Sequence, residues 1–598
     1  MSATDSNLPN VGYDLVLGVT QDAVNANLKR YLDSYPEDFA PAYYFYSGGG
    51  YTLYSEENAL NRMNNINPFT LPSIEFGYND QGQMVVYDGP DDGDGERPSH
   101  LPSEAEEATI QSVQQIYLNG FSFAFSASVG FDRNSPDVVV FDTGDKGNDQ
   151  QVLYQLYFET FQVVGLQEVH GDYTFTNVAQ PEDNPWMYSW TVDLNISTSN
   201  TALEDLPPDT QDALQNLNNG SMFSIQQLAL DLNNAPQYNG LISDSGAPIE
   251  GYPDFNTYLN SFWDYLKNTE ATILLNAALP TAPSNSPAPT LQPTALNFLI
   301  KYYDGSVENG GLDTLNYVLM SNDHPLPNPL NPLTWNWLEP SSSSSQPSGI
   351  MAVKRDDFVK YIQYIFDQNL SSICLIPTID VQSFNNPPFV YSQSFDTNQS
   401  YSVVNNGGSH VLTTSFRSPT SKDSSAAYKS EIWASIQSDI YFEGNTIRCV
   451  TLGEVYMDLE LLALYVPVSK TRGYAVAQQN TATFTMKANP DGSLSIEMEE
   501  EIVDLTQDTD KDGAYYDGDL DPSWFADTFG DMGDIESHIE HQVDNLKTWM
   551  NNYDNSIEDL LNNTTAWVFP GAATFSMLNP YFSDNQDLTV EVSYTTTN

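Results

Sequence analysis

Residues 431–462 read EIWASIQSDIYFEGNTIRCVTLGEVYMDLELL. Ahead of the turn, Ile432, Ala434, Ile436, Ile440 and Phe442 keep to alternate positions, and after Gly444-Asn445 the same spacing returns in Ile447, Cys449, Val455, Met457, Leu459 and Leu461. Successive side chains of a strand point to opposite faces, so each half presents one apolar side, and a Gly-Asn pair between two such runs makes a tight hairpin turn. Strands well beyond the usual length of about five or six residues twist and curl when they pair. The stretch therefore points to an α+β, β-rich fold in which long curved antiparallel sheets wrap around long amphipathic helices.

Outward from it the pattern repeats. Ala482, Phe484 and Met486 lead into Asn489-Pro490-Asp491-Gly492, and Leu494, Ile496 and Met498 lead away, a second hairpin. Phe121, Phe123, Phe125, Ala127, Val129 and Phe131 alternate with Ser122, Ser126 and Ser128 and are expected on one face; Trp190, Val192, Leu194 and Ile196 behave likewise. Gly48-Gly49-Gly50 followed by Tyr51-Thr52-Leu53-Tyr54 reads as a hairpin or bulge, because no helix N-terminus follows to hold a phosphate. Helices are few. Thr20 is an N-cap for a helix carrying Val24, Leu28, Tyr31, Leu32 and Tyr35; Phe358, Ile362, Ile365, Phe366 and Leu370 mark a second. Met532, Ile535, Ile539, Val543, Leu546 and Met550, extended by Tyr553, Ile557 and Leu560, form a continuous stripe that places a long amphipathic helix near 531–561.

Two proline-rich tracts interrupt the alternation. The run from Pro280 to Pro289 cannot join a ladder, so the expected division is an N-terminal β-rich lobe over 1–279, a linker over 280–294 and a C-terminal β-rich lobe over 295–598. The tract Pro325 to Gly349 also holds Trp335 and Trp337, a pair expected to dock on a lobe. Asp88 to Glu96 reads as an exposed acidic loop.

Across 598 residues, 20 Lys+Arg face 80 Asp+Glu, a formal charge of -60. A field of that sign repels phosphate backbones and anionic head groups, so nucleic acid is not an expected partner, nor is electrostatic membrane docking. Two cysteines, Cys374 and Cys449, make neither a disulfide framework nor a four-ligand zinc site and read as buried free thiols. The longest apolar run, Leu459 to Val468, is too short to span a bilayer and contains Glu460, so no transmembrane segment is expected. The opening residues lack the basic and apolar regions of a secretory signal, which favours the cytoplasm, or export by another route.

Chemistry is signalled at one place. Asp508, Asp510 and Asp512, then Gly513, then Asp519 at the twelfth position, match the oxygen ligands and sharp turn of a calcium loop; a solvated acidic turn is the bland alternative. His538 and His541 lie three apart on the expected C-terminal helix without a third ligand and read as exposed, while His100, His170, His324 and His410 are dispersed. No nucleophile elbow, Walker sequence or catalytic cysteine context occurs, which points away from an enzyme, while paired carboxylates for glycoside hydrolysis stay open among 80 acids because that chemistry depends on separation in space.

Gly12-Tyr13-Asp14-Leu15-Val16, then Asp22-Ala23-Val24-Asn25 and the amphipathic Leu28 to Leu32, resemble the start of the P47 and OrfX proteins of clostridial toxin gene clusters. Trp335-Asn336-Trp337, the run Gly349 to Arg355, and Trp567-Val568-Phe569-Pro570-Gly571 are similar to that group as well, although Tyr13 stands where those proteins usually have Trp. The resemblance implies a TULIP-like fold, in which a curled sheet wraps a long helix around an apolar lumen for lipid-like ligands. The expected function is thus binding of a hydrophobic small molecule or lipid in a sheet-helix groove lined by Phe121, Phe123, Phe125, Ile535, Ile539, Val543 and Leu546. One rival is a protein-interaction role, as an accessory component of a toxin-like complex, favoured by exposed tryptophans and proline-rich tracts. The other is a calcium-dependent carbohydrate-active or carbohydrate-binding protein.

Overall fold

A computed structural model describes residues 2–33, 39–47, 49–89, 97–129, 137–142, 151–181, 186–197, 224–230, 237–243, 274–281, 293–305, 311–340, 346–370, 374–381, 389–395, 401–425, 428–463, 466–488, 494–505 and 575–594. Among them the chain is β-rich, with few helices and several antiparallel sheets. The chain divides into two units. One comprises Met1–Val19 with the described parts of Thr198–Gln226 and Ala277–Asn598; the other comprises the described parts of Thr20–Ser197 and Gln227–Asn276. Where the sequence reading put residues 1–279 together, the first 19 group with the second half of the chain, because their strand is laddered there.

In the first unit the 431–462 stretch is a hairpin of strands Tyr428–Glu443 and Thr446–Ala463, 16 and 18 residues long, closed by the pair Glu443 and Thr446. Gly444 takes φ +61°, the left-handed conformation that this two-residue turn requires. Thr446–Ala463 also pairs with the 23-residue strand Val466–Ala488, and four further strands complete a seven-stranded sheet. Ile432, Ala434, Ile436, Ile440 and Phe442 are buried, as are Ile447, Cys449 and Val455, whereas Trp433, Ser435 and Tyr441 between them are only partly so. Each large aliphatic or aromatic side chain removed from water in this way is worth about 1.5–3 kcal/mol. The alternation carries through a polar cross-strand row: Ser438 and Thr451 are buried on the same face and bond each other at 2.9 Å. At one end Phe442 stacks on Phe582 with centroids 4.2 Å apart and meets Phe358 of the Arg355–Leu370 helix at 5.5 Å.

A six-stranded sheet of the same unit runs Pro293–Lys301, Thr314–Ser321, Leu15–Thr20, Gly349–Val353, Leu588–Tyr594, Phe575–Phe582. Every residue of Thr314–Ser321, Leu15–Thr20 and Gly349–Val353 is buried, so these three inner strands are covered on both faces. Trp335 and Trp337 belong to this core, each 2% exposed and packed edge to face at 5.3 Å. Trp337 Nε1 donates to Asn316 Oδ1 at 2.6 Å and its ring lies over Gly18, where a Cβ would come within 2.8 Å of Cδ1. The expectation that the pair docks on the fold holds, because both rings are consumed by the core.

In the second unit the Gln21–Asp33 helix starts where Thr20 accepts from the Ala23 amide at 3.2 Å, the expected N-cap. Asn25 exchanges two 2.8 Å hydrogen bonds with the backbone of Val139, so the Asp-x-x-Asn turn fastens a short strand to the helix. The Glu104–Leu118 helix, unforeseen in the sequence, begins with a capping box between Ser103 and Glu106. It lies on a sheet that includes Phe39–Ser47, Ile74–Tyr78, Met84–Tyr87, Phe121–Val129, Gln151–Val169 and Asp172–Ala179. Ile110, Val113 and Ile116 face that sheet and share a core with Phe45, Phe76, Phe121 and Phe175.

Candidate ligand recess and a buried ionic node

Among the described members of the expected groove, Phe121 does not share a face with Phe123 and Phe125. Phe121 pairs with Phe45 while Phe123 pairs with Tyr44, so a bulge at Ser122 flips the alternation. Phe121 joins the core beneath the Glu104–Leu118 helix; Phe123 turns to the opposite side, stacked on Tyr44 at 4.5 Å, with Phe125 beside the same ring at 5.9 Å. All three are buried. Ile535, Ile539, Val543 and Leu546 of the expected 531–561 helix, and Asp508, Asp510, Asp512 and Asp519 of the calcium loop, lie outside the described residues, as do His538 and His541.

A recess of about 460 Å³ opens beside the first turns of the Glu104–Leu118 helix. Its floor is Ile74, Val86 and Phe175, side chains continuous with the core under the helix. Glu75, Tyr87, Glu106, Thr109, Thr174 and Thr176 supply its polar groups. Glu75 is bound by both terminal nitrogens of Arg97, and Nη1 to Oε1 measures 2.6 Å; Thr174 Oγ1 donates to the same carboxylate at 3.2 Å. Glu106 is pulled down to about 2 by the Ser103 hydroxyl and amide and by His100. Burial, and Asp172 accepting from the hydroxyl at 2.8 Å, push Tyr87 up.

A second cluster forms at the motifs that carry the resemblance. Asp14, fully buried at the mouth of the central strand, accepts from the Ser321 amide at 3.0 Å, from His324 Nδ1 at 2.7 Å and from Lys354 Nζ at 3.1 Å. Lys354 Nζ also stands 3.3 Å from Asp357 Oδ2, and Lys360 reaches the other Asp357 oxygen at 3.1 Å. Burial pushes Asp14 up, but its bonds with Asp357, Ser321 and His324 and the Lys354 charge outweigh it and hold the carboxyl below the usual range. Burial and the adjoining Asp14 push Asp357 up, so Asp14 is the ionised member. Burial lowers Lys354, yet the two carboxylates more than compensate. Ligand atoms of Asp14, His324 and Asp357 lie within 4.8 Å of one another, a spacing that suits a metal ion. The Lys354 ammonium already stands between the two carboxylates and supplies the positive charge a metal would bring, so the node reads as a charge-compensated lock. His324, dispersed in the sequence, enters only through space.

Nearby, Asp587 accepts from the Ser6 hydroxyl at 2.9 Å, the Leu8 amide at 2.8 Å and the Arg355 amide at 3.0 Å. Burial pushes it up to about 6 against the opposing pull of those three donors. Cys374 and Cys449 are both buried, as expected. No helix among the described residues is long and apolar enough to cross a membrane.

No family profile and no curated protein matches the chain. Among solved structures it is similar to P47 from Clostridium botulinum A2, at 10% identity over 98% of this chain and 97% of that one, with a TM-score of 0.36. It is also similar to a lipopolysaccharide binding protein, at 11% identity over 97% of this chain and 98% of that one, with a TM-score of 0.29.

Proposed function

We propose that this protein is a non-enzymatic carrier that holds a hydrophobic small molecule, or the tail of a lipid, in a groove between sheet and helix. The observation that carries the reading is the recess beside the Glu104–Leu118 helix: at about 460 Å³ with an apolar floor of Ile74, Val86 and Phe175, it has the size and lining of a small-molecule site. Long strands with one buried face, such as Tyr428–Glu443, are of the kind that twist and curl when they pair, which supports a curled-sheet reading of the fold. The proposal extends to a TULIP-like arrangement, and to action in the cytoplasm or after export by a non-classical route.

Native mass spectrometry and solvent extraction of the purified protein test it, together with uptake of a fluorescent fatty alcohol. The expected result is a bound apolar species, or saturable uptake that Thr109→Trp, placed to fill the recess, reduces at least about tenfold, the loss expected when a buried apolar contact area is blocked. An empty protein that takes up no probe overturns the reading.

A further inference from the structure

We infer that the recess beside the Glu104–Leu118 helix selects amphiphiles with a neutral or cationic polar end and rejects anionic ones, a selectivity that rests on the hydrophobic-ligand reading above. Two carboxylates, Glu75 and Glu106, line the recess itself. Two more stand directly behind its lining: Asp172 on the Tyr87 hydroxyl at 2.8 Å, and Asp88 on His100 Nδ1 at 2.9 Å. Among the described residues, Arg97 and His100 answer them in this shell, and both are engaged. The guanidinium of Arg97 is bound by Glu75, donates through Nε to the Gly89 carbonyl at 2.5 Å and lies over the Tyr87 ring at 4.4 Å. His100 spans Asp88 and Glu106 through its two ring nitrogens.

Among the described residues, four carboxylates against one guanidinium leave this shell at -3 with the imidazole neutral, or -2 with it protonated. An anionic head group gains nothing here unless it first displaces Glu75 from Arg97, a bidentate charge-assisted contact. A hydroxyl or ammonium group meets acceptors at once: the carboxylates and the hydroxyls of Thr109, Thr174 and Thr176. The overall charge of -60 adds long-range repulsion of anions with the same sign.

The experiment compares decyltrimethylammonium, decyl glucoside and decanesulfonate, three probes with one tail, by calorimetric titration of the full chain below their micelle concentrations. The expected order is cation, then neutral, then anion, with at least about a tenfold gap between first and last at low salt that narrows as salt screens exposed charge. In Glu75→Gln, which frees Arg97, the gap should shrink or reverse while decyl glucoside still binds. Equal affinities, or a preference for the sulfonate, overturn the selectivity and leave the carrier reading standing. Failure of all three to bind overturns the carrier reading itself. Because the wild-type salt dependence is read without any substitution, a Glu75 variant that misfolds does not remove the test.

Discussion

The Asp14 node and the recess beside the Glu104–Leu118 helix are both polar clusters on β-sheets, and they are built to opposite ends. At the node, each buried charge faces an opposite one, and Lys354 stands between Asp14 and Asp357. At the recess the carboxylates outnumber the cations, the polar groups reach solvent and the floor is apolar. A satisfied buried cluster holds chain segments in register; an unbalanced open one has capacity left for another molecule. The motif residues that look most distinctive in the sequence therefore serve architecture, and the place with chemical appetite lies among ordinary-looking threonines and glutamates.

Breaking the node should give the largest effect. Asp14→Ala takes away the buried acceptor of the Ser321 amide and His324 and leaves Lys354 only Asp357, and should cost about 3–5 kcal/mol in denaturant titrations, the usual penalty for removing one partner of a buried network. Next comes Asp587. Its folded pKa of about 6 lies above the ordinary value of 3.8, so between those values the folded state binds more protons than the unfolded one. Its contribution is favourable at acidic pH and is lost as pH rises through 6, by about 3 kcal/mol in total at 1.36 kcal/mol per unit. Asp587→Asn should flatten that slope, read from denaturation midpoints between pH 4 and 7; Asp14, displaced the other way, contributes a loss as pH falls.

Ser103→Ala sharpens the other side of the comparison. It removes the cap of the recess helix and should cost about 1 kcal/mol, while probe uptake weakens because Glu106 loses the Ser103 hydroxyl and keeps only the Ser103 amide and His100. Thr109→Trp should alter stability by no more than about 0.5 kcal/mol yet block uptake, whereas Asp14→Ala, in whatever fraction stays folded, should leave uptake intact. The smallest effect concerns the loop of Asp508, Asp510, Asp512 and Asp519: calcium should raise the melting temperature by a few degrees through simple linkage, and Asp510→Ala should abolish the rise. Unchanged melting with and without chelator removes calcium from the account.

The long hairpins were legible because period-two alternation survives wherever one face is buried, as Ile432 to Phe442 shows residue by residue. The helix cap at Thr20 followed from local hydrogen bonding, and Ser103-x-x-Glu106 carries the same kind of signal. Two things were not legible. One extra residue at Ser122 reverses a face without altering the apparent alternation, so Phe121 and Phe123 parted company. Clusters assembled from distant segments, such as His324 on Asp14 across 310 positions or the threonines of the recess, leave no spacing to read.

The strand Leu15–Thr20 lies in the middle of a sheet whose neighbours are contributed by residues 314–321 and 349–353, with 588–594 beyond. During synthesis this greasy segment leaves the ribosome long before either flank exists, and at about 5–20 residues per second it waits many seconds for its first partner. Its maturation is therefore vulnerable at the start rather than the finish: a chaperone that shields the nascent amino-terminal stretch should raise yield far more than one acting on the completed polypeptide.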